Sequence, residues 1–498
     1  MTAETSDEAI DFRPEARSPR GFQDRRARDL RAERRILDAV SKVYERYGFE
    51  PLDTPSFEYA DALGKFLPDS DRPNEGVFAL QDDDEQWMAL RYDLTAPLAR
   101  FAAQNWDGLP KPFRRYAFGT VWRNEKPGPG RYREFLQCDA DTVGSDRPEA
   151  DAEIVALGVE GLEAAGLPAG SAVMKINSRK LLNGLMSQAE INDPVQRLIV
   201  LRAVDKLDRL GLKGVGDLLG KGRLDESGDF TKGAGLGGKA IEAVLSFVQA
   251  GVGASRAETL NRLDPVVGGS AEGAEGLAEL ARMDAALKGM GVAEERALFD
   301  PAVVRGLEYY TGAVFEAELT LDTVDERGER VRFGSVAGGG RYDDLVARFT
   351  GQRVPATGLS FGVSRLVAAQ RAIALMEGRQ ERDARGPVVV IVFDQSAMAE
   401  YFSVAAELRA AGIPAEVYLG SSGMKAQMKY ADRRMSPAAV IIGGDELAAG
   451  TATVKDLDLG RELASNLADN REWRESRPGQ QTVARADLVE TVRRIVQN

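Results

Sequence analysis

The chain has 498 residues, 43% of them hydrophobic, enough to bury a large core in two or three domains. Its net charge of −13 argues against non-specific nucleic-acid binding, and the lone cysteine, Cys138, excludes a disulfide framework or a Cys/His metal centre and suits a reducing cytoplasm. The sequence contains no histidine and no run of about 18 apolar residues, so neither the commonest general base nor a transmembrane helix is expected.

Residues 1–20 are rich in charge and lack an apolar h-region, which predicts a disordered lead and not a signal peptide. A helical stripe follows over 24–47, carried by Leu30, Ile36, Leu37, Val40, Val43, Tyr44 and Tyr47, with Gly48 placed to end it. Residues 49–55 read as an extended segment closed by Pro55. From 78 to 141 the pattern is strand-like, with turns at 82–84 and 126–130. Within it, Leu90-Arg91-Tyr92-Asp93-Leu94-Thr95-Ala96-Pro97 supplies a carboxylate and a hydroxyl just ahead of a helix. Asp and Thr are also ordinary capping residues there.

If 113–123 is a strand, Tyr116, Phe118, Thr120 and Trp122 form a bulky, core-like face. Ala117, Gly119, Val121 and Arg123 form a nearly bare one that ends in a guanidinium. Beyond the turn, Arg131, Arg133, Phe135, Gln137, Asp139 and Asp141 share one face of 131–141. Two readings fit that face. It is a ligand floor, with Arg123 and Arg131 on phosphates, Phe135 stacked on a purine and Gln137 and Asp141 on an ammonium group; or it is an exposed hairpin face of charge pairs.

Residues 178–300, rich in Ala, Leu and Gly, read as a helical insertion. Next, Arg305-Gly306-Leu307-Glu308-Tyr309-Tyr310-Thr311-Gly312 sets a fixed cation, two tyrosines and two glycines where a helical stretch turns into a strand. That is a ligand-binding segment or a strand entry with a packed aromatic. Strands return at 310–320 and 331–336, and Gly338-Gly339-Gly340-Arg341-Tyr342-Asp343 either floors a pocket with backbone or makes a flexible turn. A glycine-bounded strand, Thr357-Gly358-Leu359-Ser360-Phe361-Gly362, leads into a helix toward Met376 that carries Arg365. After a charged linker at 377–386, strands and helices alternate from 388 to 442, as in a compact α/β domain.

Together these segments resemble the class II aminoacyl-tRNA synthetases, and among them the histidyl-tRNA synthetase family, over residues 19–459. Residues 25–55 look like motif 1, the dimer-forming helix and strand, 118–141 like motif 2 with its loop, and 357–366 like motif 3. Residues 305–312 and 338–345 look like the two histidine-specific boxes. The resemblance implies an α+β catalytic domain over 21–376, an antiparallel sheet flanked by helices and interrupted by the 178–300 insertion. An anticodon-binding α/β domain over 387–498 would follow the linker.

It further implies that histidine is joined to tRNA(His) in two steps, ATP-dependent formation of histidyl-adenylate and transfer to the 3′-terminal ribose. The implied protein is a cytoplasmic homodimer off the membrane, with Mg²⁺ arriving on ATP and no resident metal. Position by position, Arg305 and Arg123 match the catalytic arginines. Arg123, Glu125, Arg131, Phe135 and Arg365 match ATP-binding positions. Asp93, Leu94, Thr95, Arg123, Gln137, Asp141, Arg305, Tyr309 and Tyr310 match histidine-binding positions. The chain departs from the common pattern at Asp93, where Glu is frequent, at Val363-Ser364 in motif 3, and in the Lys126-Pro127-Gly128-Pro129-Gly130 loop, which leaves tRNA identity elements unassigned. The alternative is the non-catalytic relative that serves as histidine-binding regulatory subunit of ATP phosphoribosyltransferase. Against it stand Arg123, Arg305 and Arg365 and the C-terminal domain.

Overall fold

In the computed structural model the described residues are 14–63, 76–127, 132–224, 228–305, 310–320, 323–324, 330–331, 334–377, 385–466 and 479–497. The chain divides into two units, Met1–Arg379 and Gln380–Asn498.

The large sheet of the first unit has eight strands: β1 (Glu50–Pro51), β2 (Phe113–Trp122), β3 (Glu134–Val143), β4 (Ala172–Ser178), β5 (Ala297–Phe299), β6 (Ala313–Leu319), β7 (Ser335–Arg341) and β8 (Ala356–Gly362). Their order in the sheet is β1-β2-β3-β8-β7-β6-β4-β5. The two outermost pairings, β1 with β2 and β5 with β4, are parallel, and all the pairings between them are antiparallel.

Because strand side chains alternate, one face of this sheet is apolar. Cys138, Ala140, Leu359, Phe361, Ala337, Phe315, Ala317, Met174 and Ile176 all join a single buried cluster. Helices α1 (Ala27–Arg46) and α3 (Pro148–Ala164) contribute to the same cluster, and α2 (Thr95–Asn105) lies between them in sequence. In α1 the buried positions are Ala32, Glu33, Ile36, Val40, Val43 and Tyr44, and Gly48 follows at φ +79°. Burying four large apolar side chains is worth roughly 6–12 kcal/mol, so packing holds this arginine-rich helix in place. Tyr44 stacks on Phe361, rings 6.3 Å apart and 4° from parallel.

The 113–123 strand departs from expectation. Tyr116 packs against Tyr44 at 5.8 Å, but Phe118 on the same face is 47% exposed. The buried part of this face therefore ends at Tyr116.

The insertion contains the helices Arg179–Gln188, Pro194–Val204, Leu207–Leu219, Gly238–Gln249, Arg256–Val267 and Ala271–Gly289, and also a hairpin, Gly222–Leu224 with Phe230–Lys232. It does not make a core of its own, since Leu181, Leu185, Leu280 and Met283 belong to the cluster beneath the sheet. Buried Arg256 ties it to β5, donating to Asp284 at 2.6 Å and to the Ala297 carbonyl at 2.7 Å.

The second unit has a five-stranded sheet in the order Ala415–Val417, Val388–Ile391, Ala438–Ile441, Thr451–Asp456, Gln480–Ala484. The first three strands are parallel and the last two join antiparallel. Strict alternation with parallel crossovers thus ends at Ile441. Met398–Ala410 and Leu488–Gln497 cover one face and Met424–Arg433 the other. Among the described residues no helix is long and apolar enough to cross a membrane.

Candidate active site

Register arranges the polar face of the large sheet in transverse rows. Arg115, Asp141, Gly358, Gly340 and Val314 are successive partners across β2, β3, β8, β7 and β6. Ala117, Asp139, Ser360, Gly338 and Glu316 form the next row, and Gly119, Gln137 and Gly362 begin a third. Residues separated by more than 200 positions in sequence become lateral neighbours this way.

Gln137, Asp139 and Asp141 are 8%, 2% and 2% exposed, which rules out an exposed hairpin face. Asp141 is ion-paired with Arg115, Nη2 to Oδ2 2.9 Å, and its Oδ1 accepts from the Tyr342 hydroxyl. Arg115, 1% exposed, also donates to the Leu94 carbonyl at 2.8 Å, which brings Leu94 to the floor through its backbone. A Cβ at Gly358 would lie 1.9 Å from Asp141 Oδ1, so only glycine lets that carboxylate lie across β8. Gln137 donates to Ser360 Oγ at 2.9 Å. Buried atoms without a hydrogen bond gather at the same place: Gln137 Oε1, Asp139 Oδ1, Asp141 Oδ2, and Nε and Nη1 of Arg115.

Asp93 Oδ1 accepts from the amides of Thr95 at 3.0 Å and Ala96 at 2.8 Å, capping α2. Burial raises its carboxyl above the ordinary range, against those amides and the charge of Arg123. Burial also raises Asp141, against Arg115 and Tyr342. Asp139 is pushed up to about 8 by burial and by its neighbour Asp141. Arg115 acts on both Asp139 and Asp141, and Arg91 acts on Asp139 as well, yet burial still raises both carboxyls, so this floor suits an ammonium group.

Arginines stand around it. Arg123 donates to the Tyr92 carbonyl at 3.2 Å and holds its guanidinium 5.1 Å from the Phe135 ring centre. Glu125 is exposed and its carbonyl accepts from Arg133 at 3.0 Å. Arg365, near the start of helix α4 (Val363–Met376), donates to the Ser335 carbonyl at 2.6 Å and lies beside Gly362, the partner of Gln137. Arg305 is paired with Glu316, and a Cβ at Gly338 would be 3.5 Å from its Nη1. Tyr310 lies over Gly340, where a Cβ would meet its ring at 2.9 Å, and burial raises its phenol. Arg131 and Tyr309 lie outside the described residues.

The structure thus gathers Asp93, Leu94, Gln137, Asp141 and Tyr310 about the carboxylate floor, and Thr95 adjoins it through its amide bond to Asp93. Arg115, Ser360, Tyr342 and Glu316 join the site although the sequence does not single them out as ligand residues. The signal for Arg115 is its place two before Ala117 on the bare face of β2; Ser360 and Glu316 enter through register, and Tyr342 through its hydroxyl bond to Asp141. Arg341 is structural: it bonds Asp151 at 2.8 Å and the Ser145 carbonyl at 2.8 Å. Among the described residues no cluster of three carboxylates or cysteines is placed to hold a metal ion. A carboxylate floor bordered by guanidinium groups and an aromatic ring fits a ligand that joins an ammonium group to phosphate.

A family model for histidyl-tRNA synthetase matches residues 21–366, and one for an anticodon binding domain matches 387–495. The chain is 72% identical over 496 residues to a histidine–tRNA ligase of Caulobacter vibrioides, covering 100% of both. It is 55% identical to one of Brucella suis biovar 1, covering 97% of this chain and 96% of the relative. Among solved structures it matches a crystal structure of histidyl-tRNA synthetase from Nostoc sp. PCC 7120 with a TM-score of 0.72 at 28% identity, over 97% of this chain and 100% of the other.

Proposed function

We infer the function from one premise: the chain belongs to the histidyl-tRNA synthetase family. It is a histidine–tRNA ligase, which activates histidine with ATP and transfers it to the 3′-terminal ribose of tRNA(His). The observation that carries this reading is the buried Gln137–Asp141 floor beside Arg123, Arg305 and Arg365, in a chain 72% identical to a histidine–tRNA ligase along its whole length.

On this reading Asp93, Leu94, Thr95, Gln137 and Asp141 take the amino end and backbone of histidine, and Tyr309 and Tyr310 flank its ring. Arg123, Glu125, Arg131, Phe135 and Arg365 hold ATP, which brings Mg²⁺ with it. Arg123 and Arg305 neutralise charge at the α-phosphate. In-line attack by the histidine carboxylate on the α-phosphorus forms the P–O bond of the adenylate and expels pyrophosphate. That step needs positioning and charge neutralisation more than a protein base, so a histidine-free chain is no obstacle to it. In transfer, a phosphate oxygen of the adenylate takes the proton of the attacking ribose hydroxyl. Replacing that oxygen by sulfur should then slow transfer from preformed adenylate; an unaltered rate would count against it.

The enzyme is proposed to work as a cytoplasmic homodimer joined through the α1 and β1 region. The non-catalytic regulatory reading fits less well, because the second unit matches an anticodon binding domain. Histidine-dependent exchange of pyrophosphate into ATP tests the assignment. Folded, full-length protein that supports none of it would overturn the ligase reading.

A further inference from the structure

Gln137 and Asp141 are both assigned to histidine on the proposed reading, and Asp139 lies between them on the same face of β3. Its neighbours in the row are Ala117 and Ser360, which supply no charge; the Ser360 side chain hydrogen-bonds the carboxyl, but Oδ1 has no hydrogen-bond partner although the residue is 2% exposed. A purely structural role does not account for it, because a buried carboxylate oxygen left without a donor is costly. The other carboxylates of the floor are already occupied. Asp141 has Arg115 and the Tyr342 hydroxyl, and Asp93 has the amides of Thr95 and Ala96. Arg115 is further committed to the Leu94 carbonyl at 2.8 Å. Asp141 Oδ2 lacks a hydrogen bond but is ion-paired with Arg115, which leaves Asp139 Oδ1 and Gln137 Oε1, two positions apart on one strand face, as acceptors with no such partner.

We propose that Asp139 is a further histidine-binding residue, whose carboxylate accepts with Gln137 Oε1 from the α-ammonium of the substrate and supplies the counter-charge for it. The inference rests on the ligase reading of the site. The groups that act on Asp139 are Asp141 and Cys138 on its own strand, Arg115 on β2, the Ser360 side chain on β8, and Arg91 and Asp93 ahead of α2. Tyr310 and Tyr342 face it from the far side of the site, and Tyr44 lies beneath the sheet. Burial holds the Asp139 carboxyl up to about 8, so in the free protein at neutral pH it carries a proton. That proton leaves to solvent as the ammonium takes its place.

The test is full-length Asp139→Asn in histidine-dependent ATP–pyrophosphate exchange. KM for histidine should rise about tenfold or more, as for loss of a charged hydrogen-bond acceptor, while KM for ATP stays within about twofold. The variant-to-parent ratio of histidine KM cancels the substrate's own ionisations. It should be small near pH 6, where the parent carboxyl is protonated, and grow toward about pH 9. An unchanged histidine KM, a parallel rise for both substrates, or a ratio flat in pH would overturn the proposal. Should the asparagine variant not fold, Asp139→Ser, smaller and uncharged, carries the same comparison. Parent protein without any exchange would sink the ligase reading itself; an active parent with an unaffected variant sinks only the role of Asp139.

Discussion

Replacing Asp139 by asparagine should stabilise the free protein, and by an amount that grows with pH. An aspartate in an unfolded chain titrates near 3.8, whereas in the fold burial and Asp141 push this carboxyl up to about 8. Between those values the folded state holds a proton that the unfolded state has lost. The contribution of Asp139 is therefore most favourable below about pH 4 and is lost as pH rises through about 8, at about 1.4 kcal/mol per pH unit. Across the whole window that amounts to on the order of 5 kcal/mol, and the residue is too deeply buried for solvent to screen much of it. Asparagine has no such slope. Its amide introduces an offset of about 1–2 kcal/mol if its N–H groups lack acceptors, but the offset is the same at every pH. Urea unfolding of both proteins near pH 5 and near pH 8.5 measures the difference. Tryptophan fluorescence is a suitable signal because Trp87, Trp106 and Trp122 lie in the first unit. Parallel stability curves across pH, or a variant that weakens relative to its parent as pH rises, would refute the reasoning.

Three further substitutions probe other parts of the site and its support. Gly358→Ala places a methyl group 1.9 Å from Asp141 Oδ1 and must dislodge the carboxylate from Tyr342; it should cost about 1–3 kcal/mol of stability and raise KM for histidine more than KM for ATP. Arg341→Met leaves buried Asp151 without its ionic partner and should cost about 3–5 kcal/mol near neutral pH in urea unfolding. Burial already holds Asp151 up to about 6, so that penalty should shrink as pH falls and the carboxyl takes a proton. Arg305→Ala should slow histidine-dependent exchange by about 10²–10³-fold. It should hardly move the melting temperature, since the side chain is 41% exposed; Glu316→Gln, which removes only the anchor of Arg305, should fall between parent and Arg305→Ala.

Much of the site was legible because strand alternation is local. The face shared by Phe135, Gln137, Asp139 and Asp141 follows from spacing alone, and the structure buries its inner three residues. What spacing does not contain is register. Nothing in the sequence says that Asp141 lies opposite Arg115 on one side and Gly358 on the other, or that the Tyr342 hydroxyl reaches it. Asp93 was readable both as a cap and as a ligand residue, and its Oδ1 does cap α2. Phe118 reads as core because alternation reports which face a residue is on, but not whether anything covers it there. In the second unit the alternating pattern carried the parallel strands and stopped short of the two antiparallel ones, which belong to a different connectivity.

The last strand of the large sheet to be synthesised, β8, lies at its centre. On one side of it β1, β2 and β3 are joined only to each other, and on the other side β7, β6, β4 and β5 are. Until Ala356–Gly362 has left the ribosome, no hydrogen-bond ladder connects the half-sheet bearing Asp141 to the half-sheet bearing Glu316. A nascent chain that already carries Asp93, Arg115 and Asp139 therefore has no finished pocket. Chains truncated before β8 should leave two unsatisfied inner edges, a form prone to aggregation or to capture by chaperones, and the ability to bind an amino acid should arise in one late step of synthesis.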